Sequence, residues 1–318
     1  MTHGVMVYAC ILLLFFSTNS QSQHISTDDK MNSITYKNVL VDGVNIFYIE
    51  AGDPDYPSIV LLHGFPSSSF MFRNLIDNLK EKYHLIAPTY PGFGLSGMPS
   101  AKEFNYSFDH LAEVMERFID TLAIEKASFL MHDYGGPVGF RIIEKRPELL
   151  EKMIVMNANA YIEGLTESSR PLFDYWKNPT VKNKANLEQL LTLEGTKFQY
   201  YNGVTDSLLI DPAIVYTDQY FLDRKGNKEI QLTLLYDYQN NVPKYPKWQM
   251  LFRKIQPETL IIWGENDTFF SKKGALKYKD DLKNVEYVFY PTGHFPLEEF
   301  HHEIGKRIDD FLRKKILE

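Results

Sequence analysis

Phe129-Leu-Met-His-Asp133-Tyr-Gly-Gly136-Pro-Val-Gly139-Phe140 is the most informative stretch of the chain. An apolar run meets a polar residue, then paired glycines, then a helix-like pattern. This is the strand–turn–helix context in which a sharp turn lifts one side chain above the end of a sheet, and in the serine version of the motif the central residue of GxSxG is the nucleophile. Here Asp133 holds that place, and no GxSxG occurs anywhere in the sequence. The alternative for Asp133 is a helix N-cap, since a carboxylate before a helix satisfies free N–H groups.

Outward from this turn the pattern is regular. Ile34 to Val41 and Val44 to Glu50 alternate around Asp42-Gly43, which predicts a two-residue hairpin. Short continuous apolar runs follow at Ser58–Leu62, His84–Pro88, Ala127–Met131, Lys152–Met156, Leu260–Trp263 and Val285–Tyr290. Runs without alternation suit strands buried on both faces of a parallel sheet. Between them, Ser107–Leu122 carries apolar residues at helical spacing, and Glu303–Leu317 predicts an amphipathic closing helix. A hairpin leading into repeated strand–helix units implies an α/β fold, a mostly parallel central sheet with helices on both faces.

From residue 161 to 246 the rhythm breaks into helix-like, polar sequence holding nine of the 20 tyrosines. This is too long for a connection and reads as an inserted helical cap. The expected organisation is core at 34–160, cap at 161–246 and core again at 247–318.

Residues 1–20 precede the core with an unbroken apolar run, Val5–Phe16, followed by small polar residues. A run of this length is typical of a secretory signal peptide and is shorter than the roughly 20 residues that span a bilayer. The expectation is a secreted or periplasmic protein with no stable membrane insertion after cleavage, the alternative being an uncleaved anchor. The single cysteine, Cys10, lies in this segment. Removing it leaves no disulfide, thiol nucleophile or cysteine metal site. The 318 residues are 44% hydrophobic, enough for a large core, and a net charge of -7 gives no electrostatic reason to expect nucleic acid.

Three further segments complete a chemical set in order. His63-Gly-Phe65-Pro ends one strand where a backbone N–H can serve an oxyanion. Ile261-Ile-Trp-Gly-Glu-Asn-Asp267 ends another with an acid, and Tyr290-Pro-Thr-Gly-His294 ends the last with a histidine. The only rival places for the acid, after Met156, are Asn157 and Asn159, with no carboxylate before Glu163. His63 and His132 fit backbone-orienting roles. His301 and His302 are adjacent and so point about 100° apart on a helix, which argues against a shared metal ion.

With HGFP at 63–66, GFGLS at 92–96, HDYGG at 132–136, GENDTFF at 264–270 and GHF at 293–295, residues 36–315 resemble the α/β-hydrolase superfamily. Within it they resemble the epoxide hydrolase and haloalkane dehalogenase branch, whose nucleophile is aspartate. Thr89 departs from the pattern, since relatives usually carry Asp there. The resemblance implies that Asp133 attacks, that His294 oriented by Asp267 activates water, that the backbone N–H groups of Phe65 and Tyr134 hold the oxyanion, and that no cofactor or metal takes part. It implies a small hydrophobic substrate and leaves the oligomeric state open.

Dehalogenases of this type often place Trp beside the nucleophile and Asn after HG, where this chain has Tyr134 and Phe65. Epoxide hydrolases use two cap tyrosines. Pro171-Leu-Phe-Asp-Tyr175 and Tyr238-Gln-Asn resemble the segments that carry them, making Tyr175 and Tyr238 the candidates, with Tyr236, Tyr200 and Tyr201 as substitutes. The expected activity is epoxide hydrolysis to a vicinal diol through an Asp133 ester. Haloalkane or haloacid dehalogenation with the same triad, or a non-catalytic ligand-binding protein of this fold, are the alternatives.

Overall fold

A computed structural model describes Met1 and residues 33–314. The segment read as a signal peptide therefore lies outside the described residues apart from Met1. Eight strands form one sheet in the order β1-β2-β4-β3-β5-β6-β7-β8: β1 Thr35–Val41, β2 Val44–Ala51, β3 Ser58–Leu62, β4 His84–Pro88, β5 Ala127–His132, β6 Leu150–Met156, β7 Thr259–Gly264 and β8 Val285–Tyr290. The first two pair antiparallel as a hairpin, with Asp42 and Gly43 both at positive φ as such a turn requires. β2 joins β4 antiparallel, and every later pairing is parallel.

The apolar runs are continuous because successive residues feed two cores. Val60, Leu62, Phe129, Met131, Ile261 and Trp263 face one core, whereas Ile59, Leu61, Leu130, Leu260 and Ile262 face the other. On the first side lie α2 (Phe108–Thr121), capped by the Ser107 hydroxyl, and α3 (Gly135–Lys145). The second side is covered by α1 (Arg73–Leu79) and the closing helix α11 (Pro296–Leu312). That last helix begins seven residues before the predicted start, with proline in its first turn.

Between β6 and β7 the described chain contains helices and no strand. The longer ones are α4 (Arg170–Lys177), α5 (Val181–Glu188), α6 (Leu193–Tyr201), α7 (Pro212–Leu222), α8 (Asn227–Asp237) and α9 (Tyr245–Ile255), with α10 (Lys272–Lys277) after β7. α9 runs across residue 247, where the sequence reading ends the insertion, and its Trp248 packs against Phe140 of α3.

Several polar contacts fasten the insertion to the sheet side. The Arg224 guanidinium and the Gln231 amide both donate to the Gly92 carbonyl at 3.2 Å. The Glu299 carboxylate accepts from the backbone N–H groups of Thr205 and Asp206. On α7 the buried Asp218 accepts a 2.6 Å hydrogen bond from the Tyr200 hydroxyl, while the Tyr200 ring stacks on Phe295 at 4.2 Å. Burial pushes the Asp218 carboxyl up to about 8, and the charge of Glu298 acts in the same direction against hydrogen bonds from Tyr200 and Ser67.

A carboxyl whose pKa is raised on folding favours the native state most below its unfolded pKa. That contribution is lost as pH rises from about 4, the ordinary Asp value, through the raised native value. Asp218→Asn mimics the protonated form and keeps an acceptor for Tyr200. We expect it to raise the unfolding midpoint at pH 8 by roughly 2–4 °C, as about 1 kcal/mol does in large domains, and to leave pH 4 little changed. Thermal melts at the two pH values measure the difference.

Candidate active site

The C-terminal ends of β3, β5, β6, β7 and β8 share one edge of the sheet, where open α/β sheets bind ligands. Asp133 follows β5 with φ of +49°, the left-handed turn that breaks the strand before α3. It does not cap that helix, whose N-cap is Tyr134 without a side-chain bond. Instead its Oδ1 reaches across to accept the Phe65 backbone N–H at 2.7 Å, and the Tyr134 backbone N–H also donates to the carboxylate. The approach is close enough that a Cβ on Gly64 would collide with Asp133, and one on Gly135 with the Leu62 carbonyl. Glycine is required at both places.

His63 supports this loop. Its Nδ1 bonds the Gly64 carbonyl at 3.0 Å and its Nε2 accepts from the Tyr90 N–H, while burial pushes its pKa down to about 3. The neutral ring thus braces the backbone. Thr89 fits the same region through its hydroxyl, which donates to the Ser69 hydroxyl at 2.7 Å and accepts from the Ser69 N–H.

His294 follows β8 with its Nε2 3.7 Å from Asp133 Oδ2. On the other side of the ring Nδ1 lies 2.8 Å from Asp267 Oδ2. A proton on Nδ1 is therefore directed at a carboxylate, and the Nε2 lone pair is turned toward Asp133 and the cavity. Asp267 is held by the backbone N–H groups of Phe269 and Phe270 on Oδ1 and by the Asn157 amide on Oδ2 at 2.7 Å. Asn157 in turn accepts the Gly264 N–H. The place after β6 thus holds an amide that orients the acid, a role the sequence reading did not assign. Its signal was an asparagine directly after a strand, here in a left-handed conformation.

His132 is a second unassigned contributor. Its Nε2 donates to the main-chain carbonyl of His294 at 2.9 Å, and its Nδ1 is buried with no partner. Burial and then the His294 charge hold it well below the ordinary histidine range. It is a neutral strut between the Asp133 turn and the histidine loop.

Asp133, His294, Phe65, Tyr134 and Tyr238 line one cavity of about 60 Å³, whose other walls include Leu172, Leu235, Phe269 and Phe270. The structure does not bring Tyr175 to it. Tyr175 is half-buried with its ring edge-on to Tyr236 at 5.4 Å, and α4 presents Leu172 to the cavity instead. Tyr200 lies behind the histidine loop in its bond to Asp218. Tyr201 and Tyr236 are likewise outside the lining. Among the described residues no three His, Cys, Asp or Glu side chains are grouped as metal donors.

Burial raises the Asp133 carboxyl to about 6, against the His294 charge and the two N–H donors that lower it. For His294 burial acts downward, but the charge and hydrogen bond of Asp267, with Asp133, outweigh it and raise the pKa. The pair can supply a carboxylate nucleophile at neutral pH and an imidazole base oriented for a second step.

The chain belongs to the alpha/beta hydrolase fold family, which it matches over residues 57–300. It is a hydrolase of that fold. It is 43% identical to the uncharacterized hydrolase YNR064C of Saccharomyces cerevisiae, over 81% of this chain and 89% of that one. Epoxide hydrolase 2 of Caenorhabditis elegans is 24% identical over 76% of this chain and 69% of its own length. In three dimensions the chain superposes on haloalkane dehalogenase DbeA from Bradyrhizobium elkani with a TM-score of 0.72 at 20% identity, covering 88% and 98% of the two chains.

His132→Leu removes the strut while keeping an apolar volume in the site. It is expected to lower hydrolase turnover by roughly tenfold or more, measured as steady-state rates of the two proteins side by side.

Proposed function

We propose that this chain hydrolyses epoxides to vicinal diols through a covalent ester on Asp133. The observation that carries this reading is the Tyr238 hydroxyl. It is buried, lies beside the Tyr245 hydroxyl, and belongs to a side chain lining the cavity that holds the Asp133 carboxylate. Burial raises its pKa well above the ordinary tyrosine range, and the charges of Tyr245 and Asp133 add to the effect. It therefore keeps the proton an opening epoxide needs. A departing halide is better served by N–H groups. The lining contains no indole, and the Gln199 amide is turned to the Gly195 carbonyl at 3.4 Å.

The steps follow from which oxygen is held. Oδ1 sits on the Phe65 N–H, so Oδ2 attacks an epoxide carbon. The carbon–oxygen bond pair moves to the ring oxygen, which takes the Tyr238 proton. His294 then removes a proton from water, and the hydroxide adds to the ester carbonyl carbon. Charge develops on Oδ1, where the Phe65 N–H is already aimed; one such donor contributes roughly 10²–10³-fold in comparable sites. Collapse releases the diol oxygen, protonated by His294, and the proton left on the Asp133 carboxyl returns to Tyr238.

The test is a single turnover of a small terminal epoxide in ¹⁸O water. Label is expected in the Asp133 peptide and absent from the diol. Label confined to product would exclude the ester. Tyr238→Phe is expected to slow ester formation by about 10²-fold, the low end for lost acid catalysis. Ester formation should also decline as pH falls through about 6, where Asp133 takes up its proton. Halide release from haloalkanes faster than diol formation from any epoxide would favour the dehalogenase alternative.

A further inference from the structure

Tyr238 alone leaves the opening oxygen with one donor, and Tyr175 is not at the cavity. Resting on the epoxide reading, we propose that the Tyr134 phenol is the second donor to that oxygen, working from the sheet side of the cavity while Tyr238 works from the helical insertion. Tyr134 lines the cavity, is 3% exposed, and carries a hydroxyl with no hydrogen-bond partner. Its ring is held edge-on by Phe108 at 4.8 Å and lies 5.8 Å from Phe65 and 5.9 Å from Tyr238. The hydroxyl is therefore placed by packing, with no acceptor of its own.

Residue chemistry strengthens the assignment. Phenylalanine would make the same ring contacts without burying a polar atom that lacks a partner, a state that costs free energy. The side chain thus carries an oxygen that packing does not need. Other unpartnered phenols do not compete. Tyr90 is buried without a partner but does not line the cavity, and Tyr287 lies on edge strand β8. Burial, then the charges of Asp133 and Asp237, hold the Tyr134 phenol well above its ordinary range, so it stays protonated.

In the ring-opening step, Asp133 Oδ2 bonds to carbon and the carbon–oxygen pair moves onto oxygen. That oxygen receives the Tyr238 proton while it accepts a hydrogen bond from Tyr134, which keeps its own. The Tyr134 main-chain N–H acts separately on the carboxylate, so changing the side chain leaves that donor in place.

Tyr134→Phe, Tyr134→Trp, Tyr175→Phe and the wild type are compared by rapid-quench formation of the Asp133 ester from a small terminal epoxide, then by decay of that ester. Tyr134→Phe should slow formation at least tenfold and leave decay within twofold. Tyr134→Trp, which restores an N–H donor, should recover part of the loss. Calorimetric binding of a small primary amide, whose carbonyl can accept from both phenols, should weaken at least tenfold in Tyr134→Phe. Wild-type ester formation with an unimpaired Tyr134→Phe, or Tyr134→Trp no better than Tyr134→Phe, overturns the assignment; so does a loss found in Tyr175→Phe instead. No ester in the wild type overturns the underlying epoxide reading.

Discussion

One hydrogen bond, from the Phe65 backbone N–H to Asp133 Oδ1 at 2.7 Å, organises the site. It exists only because β3 and β5 are paired in register, Leu62 beside Met131, so the chain leaves both strands at the same height. It also requires the left-handed turn at Asp133 and the missing side chains of Gly64 and Gly135. Burying a carboxylate costs free energy unless it is hydrogen-bonded or paired. The N–H donors and the nearby imidazole offset part of that cost, and the net result is a carboxyl raised only to about 6. The same bond makes the two oxygens inequivalent: one is held and one faces His294.

The histidine side is built to match. Asp267 is saturated by two backbone N–H groups, the Asn157 amide and the imidazole. With its acceptor sites occupied, it has one orientation, and it fixes which histidine nitrogen carries the proton. The His132 ring ties the main chain of His294 to the turn that carries Asp133. The 3.7 Å separation between His294 Nε2 and Asp133 Oδ2 is thus set by strand ends and loop contacts, with Tyr200 of the insertion stacked on Phe295 and the Gly203 carbonyl accepting from the Asn266 amide.

This division explains what the sequence disclosed. Strands buried on both faces write themselves as short apolar runs, and the predicted runs at Ser58–Leu62 and Val285–Tyr290 coincide with β3 and β8. Residues just past such runs must lie at one edge, so Asp133, Asp267 and His294 could be gathered without knowing any distance. Tyr175 and Tyr238 could not. Leu172 and Tyr175 are neighbours on one face of α4, and which of them enters the cavity depends on how that helix rests against residues 227–244. There Tyr236 takes the Tyr175 ring. Asn157 is hidden for another reason: a rival acid would be read as a charge at that position, whereas the site uses a neutral amide there.

The sheet edge gathers a carboxylate, an imidazole and backbone N–H donors, and the insertion adds the remaining walls. Leu172, Leu235 and Tyr238 bring apolar wall and one phenol. The cavity they close is about 60 Å³. The insertion is joined to the sheet side by apolar packing, with Leu187, Leu191, Leu222, Ile230 and Leu234 in one buried cluster with Val60 and Phe129, and by dispersed polar contacts. They include two donors on the Gly92 carbonyl, two backbone N–H groups on Glu299, and the Asp218–Tyr200 bond behind the histidine loop. The Gln231–Gly92 and Tyr200–Asp218 bonds are buried, and breaking either would leave a buried polar group without a partner, which costs free energy. Packing and fastenings together therefore fix how closely the insertion sits on the sheet edge, and with it where Leu172, Leu235 and Tyr238 stand around the cavity.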